Sequence, residues 1–211
     1  CKAMIRIKIC GIKDEQNAAQ VARLNVDFMG LIFAPSPRQV SENLAKNLSE
    51  LIQKNAKKAI GVFVDESDEF IINSAQNANL NGVQIQKSIS KSLFERLKGL
   101  NLSVWQVVSV GEKLQMPAQI NADLVLFDTK GALKGGNGVA FKWDLLKGYD
   151  KKFALAGGLG ADNVAAALNA TNALGQKPSI LDLNSRVEKA AGIKDTALIS
   201  EILDKLHKIK A

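Results

Sequence analysis

Short apolar runs alternate with longer amphipathic segments along the whole chain. The runs are rich in β-branched residues and predict eight strands, at residues 5–10, 27–33, 59–64, 82–85, 102–110, 123–128, 152–157 and 179–183. The segments between them predict eight helices, at residues 14–24, 41–55, 67–79, 88–99, 112–120, 140–147, 160–173 and 195–209. Strand and helix therefore alternate from one end of the chain to the other.

This alternation favours one fold. Strands that alternate with helices form βαβ units and a parallel sheet. Eight such units in 211 residues match a compact α/β fold, a single-domain (β/α)₈ TIM barrel over residues 4–211. A doubly wound sheet is the alternative, but it usually has fewer units. Residues 1–3 precede the first methionine, and we expect them to be an addition to the native chain.

Composition narrows the class of protein. The chain is 46% apolar and 23% charged, which is ordinary for a folded globular domain. No apolar run approaches the ~20 residues of a membrane span, and no secretory leader is visible, so we expect no membrane partner. Two cysteines form no disulfide framework, and cytoplasm is the expected compartment. One histidine and no His/Cys cluster argue against a metal site.

The net charge of +7 has several interpretations. A solvated, lysine-rich surface is the first, and attraction of a small anionic substrate is the second. Nucleic-acid binding is the third, but the lysines are scattered and do not interleave with aromatic residues as a stacking surface requires. We therefore expect a small molecule rather than a nucleic acid as the partner.

Candidate functional residues lie at the ends of the predicted strands. In a barrel of this kind, function gathers at the carboxyl ends of the strands and in the loops that follow. Seven of the eight predicted strands end in such residues: Cys10-Gly11, Ser36-Pro37-Arg38, Asp65, Gln86, Asp128, Gly157-Gly158, and Asp182 with residues 184–186. The repetition indicates one shared site more strongly than any single motif does.

The first strand carries the most informative of these ends. Alternation places Lys8 and Cys10 on its inward face. A lone cysteine is usually a buried apolar residue, but the ammonium group of Lys8 is expected to favour a thiolate here. We therefore favour an active-site role for Cys10. A buried Lys8 also needs a partner, and because strands one and eight are neighbours in a closed barrel, we predict an ion pair with Asp182.

Two further ends carry plausible chemistry. Asp128 ends the apolar strand "LVLFD", where burial would raise its pKa into a proton-donating range; a turn-capping role is equally plausible. Residues 156–164, "AGGLGADNV", predict a glycine turn before a helix N-terminus, which is a favourable phosphate site. Residues 134–138 predict either a mobile active-site loop within the segment 130–138 or a plain connection.

These motifs together resemble a known family. The segments "KICGIKDEQNAAQVA", "GLIFAPSPRQVS", "GVFVD", "LFDTKG", "LAGGLGADNV" and "LDLNSRVEKAAGIKD" are similar, in order and over nearly the whole chain, to phosphoribosylanthranilate isomerase. That family catalyses the Amadori rearrangement of N-(5-phosphoribosyl)anthranilate in tryptophan biosynthesis. The resemblance implies a single (β/α)₈ barrel, a small phosphosugar substrate, and no metal or redox cofactor.

The resemblance also implies roles for particular residues. Cys10 matches the catalytic base, Asp128 matches the catalytic acid, and Arg38 matches the arginine that holds the anthranilate carboxylate. The residues that match the phosphate-binding loops are Gly157, Gly158, Asp182, Asn184 and Ser185. Lys8, Gln86 and Arg186 are further candidates for the site.

The chain departs from the family pattern at a few positions. Gln86 replaces a histidine, Asn184 replaces a serine, and Arg186 replaces a glycine of the phosphate loop. A glycine there allows close backbone approach, so an arginine either contacts the phosphate directly or points to solvent.

Alternative functions follow from the same comparison. The histidine-pathway aminoaldose isomerase is a related barrel that has aspartates at the ends of strands one and five. This chain has Cys10 and Ser109 at those positions, so we disfavour that activity. A non-catalytic phosphosugar-binding barrel stays open because of the altered tail motif. A monomer is favoured over a dimer.

Overall fold

The computed structural model of the protein describes residues 5–129, 140 and 142–210. Eight parallel strands close into a barrel in chain order, and β1 pairs with β8 to complete the ring. The strands are β1 (Arg6–Cys10), β2 (Phe28–Ile32), β3 (Lys58–Phe63), β4 (Gly82–Ile85), β5 (Ser103–Val110), β6 (Leu124–Thr129), β7 (Phe153–Leu155) and β8 (Ile180–Leu183). The predicted single-domain (β/α)₈ barrel is confirmed.

Six α-helices lie in the described ranges. They are α1 (Glu15–Ala22), α2 (Glu42–Lys54), α3 (Asp68–Asn77), α4 (Lys91–Gly99), α5 (Val164–Ala173) and α6 (Thr196–Lys210). Asp14 accepts a hydrogen bond from the Asn17 amide at 2.7 Å, and Ser41 accepts one from the Leu44 amide at 3.3 Å. These side chains cap α1 and α2, and they explain why both helices begin where the sequence indicates.

Two predicted helices are wrong. Residues 112–120, all described, form no helix. Gly111 and Pro117 disfavour a helix here. Glycine loses more backbone entropy on ordering than any other residue, and proline cannot donate an amide hydrogen bond. Of the predicted helix 140–147, only Trp143–Leu146 forms a 3₁₀ turn, and residue 141 lies outside the described residues.

The predicted helix 160–173 is shorter at its start, because Asn163 organises a turn there. Its side chain accepts a hydrogen bond from the Gly160 amide at 2.8 Å and donates one to the Gly158 carbonyl at 2.8 Å. The glycine turn after β7 is thereby joined to the N-terminus of α5.

A small hairpin was not predicted. Strands β9 (Glu188–Ala190) and β10 (Ile193–Lys194) pair antiparallel directly after β8. Their sequence is short and charged, without the apolar alternation by which strands are recognised. The hairpin contributes two side chains that support the functional site.

The barrel interior is a packed core rather than a channel. Its inward-facing apolar side chains are Phe28, Ile60, Trp105, Val107, Leu124, Leu126, Ala154, Ala156 and Ile180. A larger apolar layer fills the space between the sheet and the helices. Because the interior is filled, as is usual in this fold, a ligand site has room only at the ends of the strands.

Some sequence predictions lie outside the described residues. These are the origin of residues 1–3 and the behaviour of the segment 130–138. Within the described part of the chain, no helix combines the length and the apolar character needed to cross a membrane.

Candidate active site

One pocket opens at the carboxyl ends of the strands, with an empty volume of ≈ 850 Å³ including its open mouth. The predicted site residues that line it are Cys10, Arg38, Gln86, Asp128, Gly157, Gly158, Asp182, Asn184, Ser185 and Arg186. Three strand-end candidates lie outside this lining: Gly11, Pro37 and the exposed Asp65. The tertiary structure therefore brings together side chains that are up to 176 residues apart (186 − 10 = 176).

The predicted pair of Lys8 and Asp182 is confirmed. The two residues are register partners in β1 and β8, and Lys8 Nζ donates to Asp182 Oδ2 at 2.8 Å. Burial alone would lower the Lys8 pKa, but the charge of Asp182 and the hydrogen bond with it act in the opposite direction, and the net shift of that pKa is upward. Since a buried carboxylate repels phosphate, the geometry favours Asp182 as the counter-ion of Lys8 over the phosphate contact implied by the resemblance.

The Cys10 thiol lies beside this pair at the end of β1. It is free and buried. A Cβ atom added to Gly30 would lie 2.8 Å from Cys10 Sγ and 3.2 Å from Lys8 Nζ, so glycine at this position of β2 leaves room for both groups. Burial raises the Cys10 pKa and outweighs Lys8 and Lys194, which lower it. The predicted effect of Lys8 on the Cys10 pKa has the right sign, but burial outweighs it, so the predicted thiolate is not favoured.

Asp128 behaves as the apolar strand predicts. Burial, assisted by the negative charge of Asp182, raises the Asp128 pKa to about 6. The Thr129 amide donates to Asp128 Oδ1 at 2.8 Å and holds the carboxyl group in place. A Cβ atom added to Gly157 would come within 3.0 Å of the same oxygen, so the turn after β7 packs directly against the carboxyl group.

Arg38 is held by an acidic partner from the unpredicted hairpin. Its Nε donates to Glu188 Oε1 at 2.9 Å, and its Nη2 donates to Glu188 Oε2 at 2.8 Å. The Arg38 side chain is 15% exposed and that of Glu188 is 5% exposed, so the pair is largely shielded from water. The arginine is thereby fixed at the rim of the pocket.

The glycine turn after β7 has a left-handed backbone. Gly157 and Gly158 have φ angles of 89° and 60°, which residues other than glycine rarely adopt. Arg186 lies against this turn, where its Nη1 donates to the Gly158 carbonyl at 3.2 Å and its Nη2 to Asp162 at 2.8 Å. Arg186 thus braces the turn, and the choice between phosphate contact and a solvent-facing guanidinium stays a prediction.

Comparison with known families settles the class of protein. Residues 7–205 match the family described as N-(5'phosphoribosyl)anthranilate (PRA) isomerase. The chain belongs to this family. An N-(5'-phosphoribosyl)anthranilate isomerase from Campylobacter jejuni is 52% identical over 205 residues, which cover 97% of this chain and 100% of the relative. The chain is therefore an isomerase of tryptophan biosynthesis, and the resemblance seen in the sequence is confirmed.

Solved structures of the isomerase family share the fold. The phosphoribosyl anthranilate isomerase of Thermotoga maritima superimposes with a TM-score of 0.81 at 27% identity, covering 97% of this chain and 100% of its own. Another family structure has a TM-score of 0.77 at 25% identity, with coverage of 97% and 100%. It holds reduced 1-(o-carboxyphenylamino)-1-deoxyribulose 5-phosphate.

Sequence reasoning about this isomerase overlooked several residues at the site. Gln84 and Thr129 line the pocket, and each has a buried oxygen atom without a hydrogen-bond partner in the described structure. A polar Gln84 between Val83 and Ile85 was a usable signal, because alternation places it on the inward face. Glu188 and Lys194 gave no signal of alternation, because they belong to the unpredicted hairpin, although both lie in the tail segment that resembles the family.

The raised Asp128 pKa predicts a pH-dependent gain in stability for Asp128→Asn. The folded protein holds the Asp128 proton up to a pH of about 6, whereas the ordinary carboxyl loses it near 3.8. The free energy of unfolding of the wild type therefore falls as the pH rises between these values. Relative to the wild type, Asp128→Asn should gain roughly 2–3 kcal/mol between pH 4 and pH 7.5, measured by urea unfolding. An equal effect at both pH values would contradict the raised pKa.

Proposed function

We propose that the protein converts N-(5'-phosphoribosyl)anthranilate to 1-(o-carboxyphenylamino)-1-deoxyribulose 5-phosphate, with Asp128 as general acid and Cys10 as general base. The observation that carries the proposal is that both residues line one pocket, from β6 and β1, and that the Asp128 pKa is raised to about 6. A group with that pKa can hold a proton and release it near neutral pH.

Ring opening is the first step, and it needs the acid. Asp128 transfers its proton to the ring oxygen of the ribose as the bond between that oxygen and C1 breaks. The lone pair of the anthranilate nitrogen forms the C1–N double bond, which gives an iminium cation. Burial of Asp128, assisted by the charge of Asp182, supports this role because it keeps the proton on the carboxyl group until the substrate arrives.

Proton removal from C2 is the second step, and it needs the base. The Cys10 thiolate takes the C2 proton. The electron pair of the C–H bond forms the C1–C2 double bond as the π pair of the C1–N double bond returns to nitrogen, which gives a neutral enaminol. Tautomerisation then moves the O2 proton to C1 and leaves the aminoketose. Burial raises the pKa of the Cys10 thiol, so the thiol must first lose its proton to solvent through the open pocket, and the iminium cation formed in the first step favours that loss.

Substrate recognition assigns the two anionic groups of the substrate to different residues of the pocket. The planar guanidinium of Arg38 suits the anthranilate carboxylate, which it can bind with two parallel hydrogen bonds. The left-handed backbone at Gly157 and Gly158, beside the N-terminus of α5, suits the phosphate. Asn184 and Ser185 line the neighbouring wall and offer uncharged polar groups to it.

Three further predictions from the sequence accompany this proposal. We expect a monomer, a cytoplasmic location and no nucleic-acid partner. A non-catalytic phosphosugar-binding barrel is the competing function, because Asn184 and Arg186 depart from the family motif. The presence of Cys10 and Asp128 in one pocket favours the enzyme.

Turnover of freshly generated N-(5'-phosphoribosyl)anthranilate by the wild-type protein tests the proposal. We expect saturable conversion with a kcat of roughly 1–10³ s⁻¹. The conversion is monitored through the loss of substrate fluorescence. Binding of the reduced product analogue, measured by calorimetry, is the companion experiment. A protein that binds the analogue but converts no substrate would be a binding barrel, and the proposed activity would then be wrong.

A further inference from the structure

Glu188 contacts Arg38 in a way that leaves part of the guanidinium available. Its carboxylate engages the Nε and Nη2 edge, at 2.9 Å and 2.8 Å, with a third contact of 3.2 Å from Nε to Oε2. A guanidinium carries five N–H donors in a rigid plane. The donors not directed at Glu188 belong to Nη1 and to the second hydrogen of Nη2, at the end of the side chain, and Arg38 lines the pocket.

Glu188 is itself held firmly. Its Oε1 accepts a hydrogen bond from Lys194 Nζ at 2.6 Å and one from the Gly192 amide at 3.0 Å. Lys194 Nζ also donates to Asn184 Oδ1 at 2.9 Å and to the Asn184 carbonyl at 3.3 Å. The Lys194 side chain is 0% exposed, and all three of its N–H donors are occupied.

The loop after β1 places this network close to Cys10. Gly11 has a φ of +80°, and a Cβ atom added there would lie 2.8 Å from Arg38 Cδ and 2.8 Å from Asn184 Oδ1. The stem of Arg38 therefore packs on the backbone of the residue that follows Cys10. The orientation of the guanidinium and the location of the thiol are thus fixed by the same segment of chain.

We propose that Glu188 is a positioning residue for the carboxylate of the substrate. It holds the guanidinium of Arg38 so that the Nη1 and Nη2 end faces the pocket, and Lys194 balances its charge. The charges of Arg38, Glu188 and Lys194 sum to +1, and this net charge suits one incoming carboxylate. This inference rests on the proposed function, in which Arg38 binds that carboxylate. Without Glu188, the long arginine side chain would sample many rotamers, and the carboxylate would lose its fixed partner.

The test compares two substrates in wild type and in Glu188→Gln. One is the anthranilate adduct of ribose 5-phosphate, and the other is the aniline adduct, which lacks the carboxylate. Wild type should prefer the anthranilate adduct, and Glu188→Gln should lower kcat/KM for that substrate by ~10–10²-fold, with most of the loss in KM. The aniline adduct should change by less than ~3-fold, because it makes no contact with Arg38.

Matched variants separate positioning from a structural role. Glu69 and Arg96 form a similar two-bond pair, at 2.7 Å and 2.8 Å, on the outer helices α3 and α4. Glu69→Gln should leave both substrates unaffected. The double variant Glu188→Leu/Lys194→Met removes two buried charges without leaving either unpaired, and it should show the same selective loss as Glu188→Gln.

Each contrary outcome has its own meaning. An equal loss for both substrates would make Glu188 a structural residue and overturn the inference. An unchanged preference for the carboxylate in Glu188→Gln would overturn it as well, while leaving the proposed function intact. A wild type without any preference between the two substrates would instead contradict the carboxylate role of Arg38 and remove the basis of the inference.

Discussion

Cys10→Ala and Asp128→Asn are each expected to lower kcat by ~10²–10⁴-fold while leaving KM nearly unchanged. Each variant removes one proton-transfer group from the end of a barrel strand and leaves the groups assigned to carboxylate and phosphate binding in place. The measurement is steady-state turnover of freshly generated substrate, with wild type and variants prepared side by side. The double variant should be little worse than either single variant, because the two groups act in one reaction sequence.

A carboxylate just before the start of β6 provides the control. Asp123 immediately precedes β6, at the end remote from the pocket, and its Oδ2 accepts a hydrogen bond from Lys98 at 2.8 Å. Asp123→Asn should therefore leave kcat unchanged. Both catalytic variants should still bind the reduced product analogue with an affinity close to that of wild type. A kcat within ~3-fold of wild type for Asp128→Asn would contradict its role as general acid.

Lys8→Met is expected to lower the free energy of unfolding by about 3–5 kcal/mol, because it leaves Asp182 buried without its counter-ion. The Lys8 side chain is 0% exposed and that of Asp182 is 6% exposed, so water cannot replace the lost contact. Urea unfolding at pH 7.5 measures the effect. The loss should shrink at acidic pH, where a buried and unpartnered Asp182 becomes protonated and no longer carries a charge.

Two controls accompany this measurement. Lys8→Met/Asp182→Leu replaces both charges with apolar groups and should recover most of the lost stability. Lys91→Met removes the exposed contact with Glu95, at 3.7 Å between Nζ and Oε1, and should have little effect on unfolding. If Lys8→Met were as harmless as Lys91→Met, the buried pair would not contribute to stability as proposed.

The barrel and much of its pocket were predictable because they depend on local rules. Alternation along β1 assigns Lys8 and Cys10 to the inward face, and closure of the barrel brings β8 beside β1, so the contact with Asp182 followed directly. An apolar β6 implied that Asp128 would be shielded, and its pKa is raised accordingly. Glycines after β7 implied a turn that only glycine readily adopts, and both have positive φ angles.

Other features were missed because residues that disfavour a helix were given too little weight, or because the outcome depends on the balance of opposing effects. The predicted helix 112–120 is a loop. An amphipathic pattern alone therefore does not ensure a helix where Gly111 and Pro117 disfavour one. The thiolate predicted at Cys10 depends on whether Lys8 or burial has the larger effect on its pKa, and only the packed structure shows that burial prevails.

The sequence by itself determined the class of fold, the end of the barrel that carries the site and most residues that line it. Periodicity and strand order determine these features, and both are local properties of the chain. Only the tertiary structure decided how the charges of the loops and of the hairpin are paired. Glu188 holds Arg38 across 150 residues of sequence, and Arg186 braces a turn 28 residues away. Such contacts depend on how the loops pack against one another, and no pattern along the chain specifies that packing.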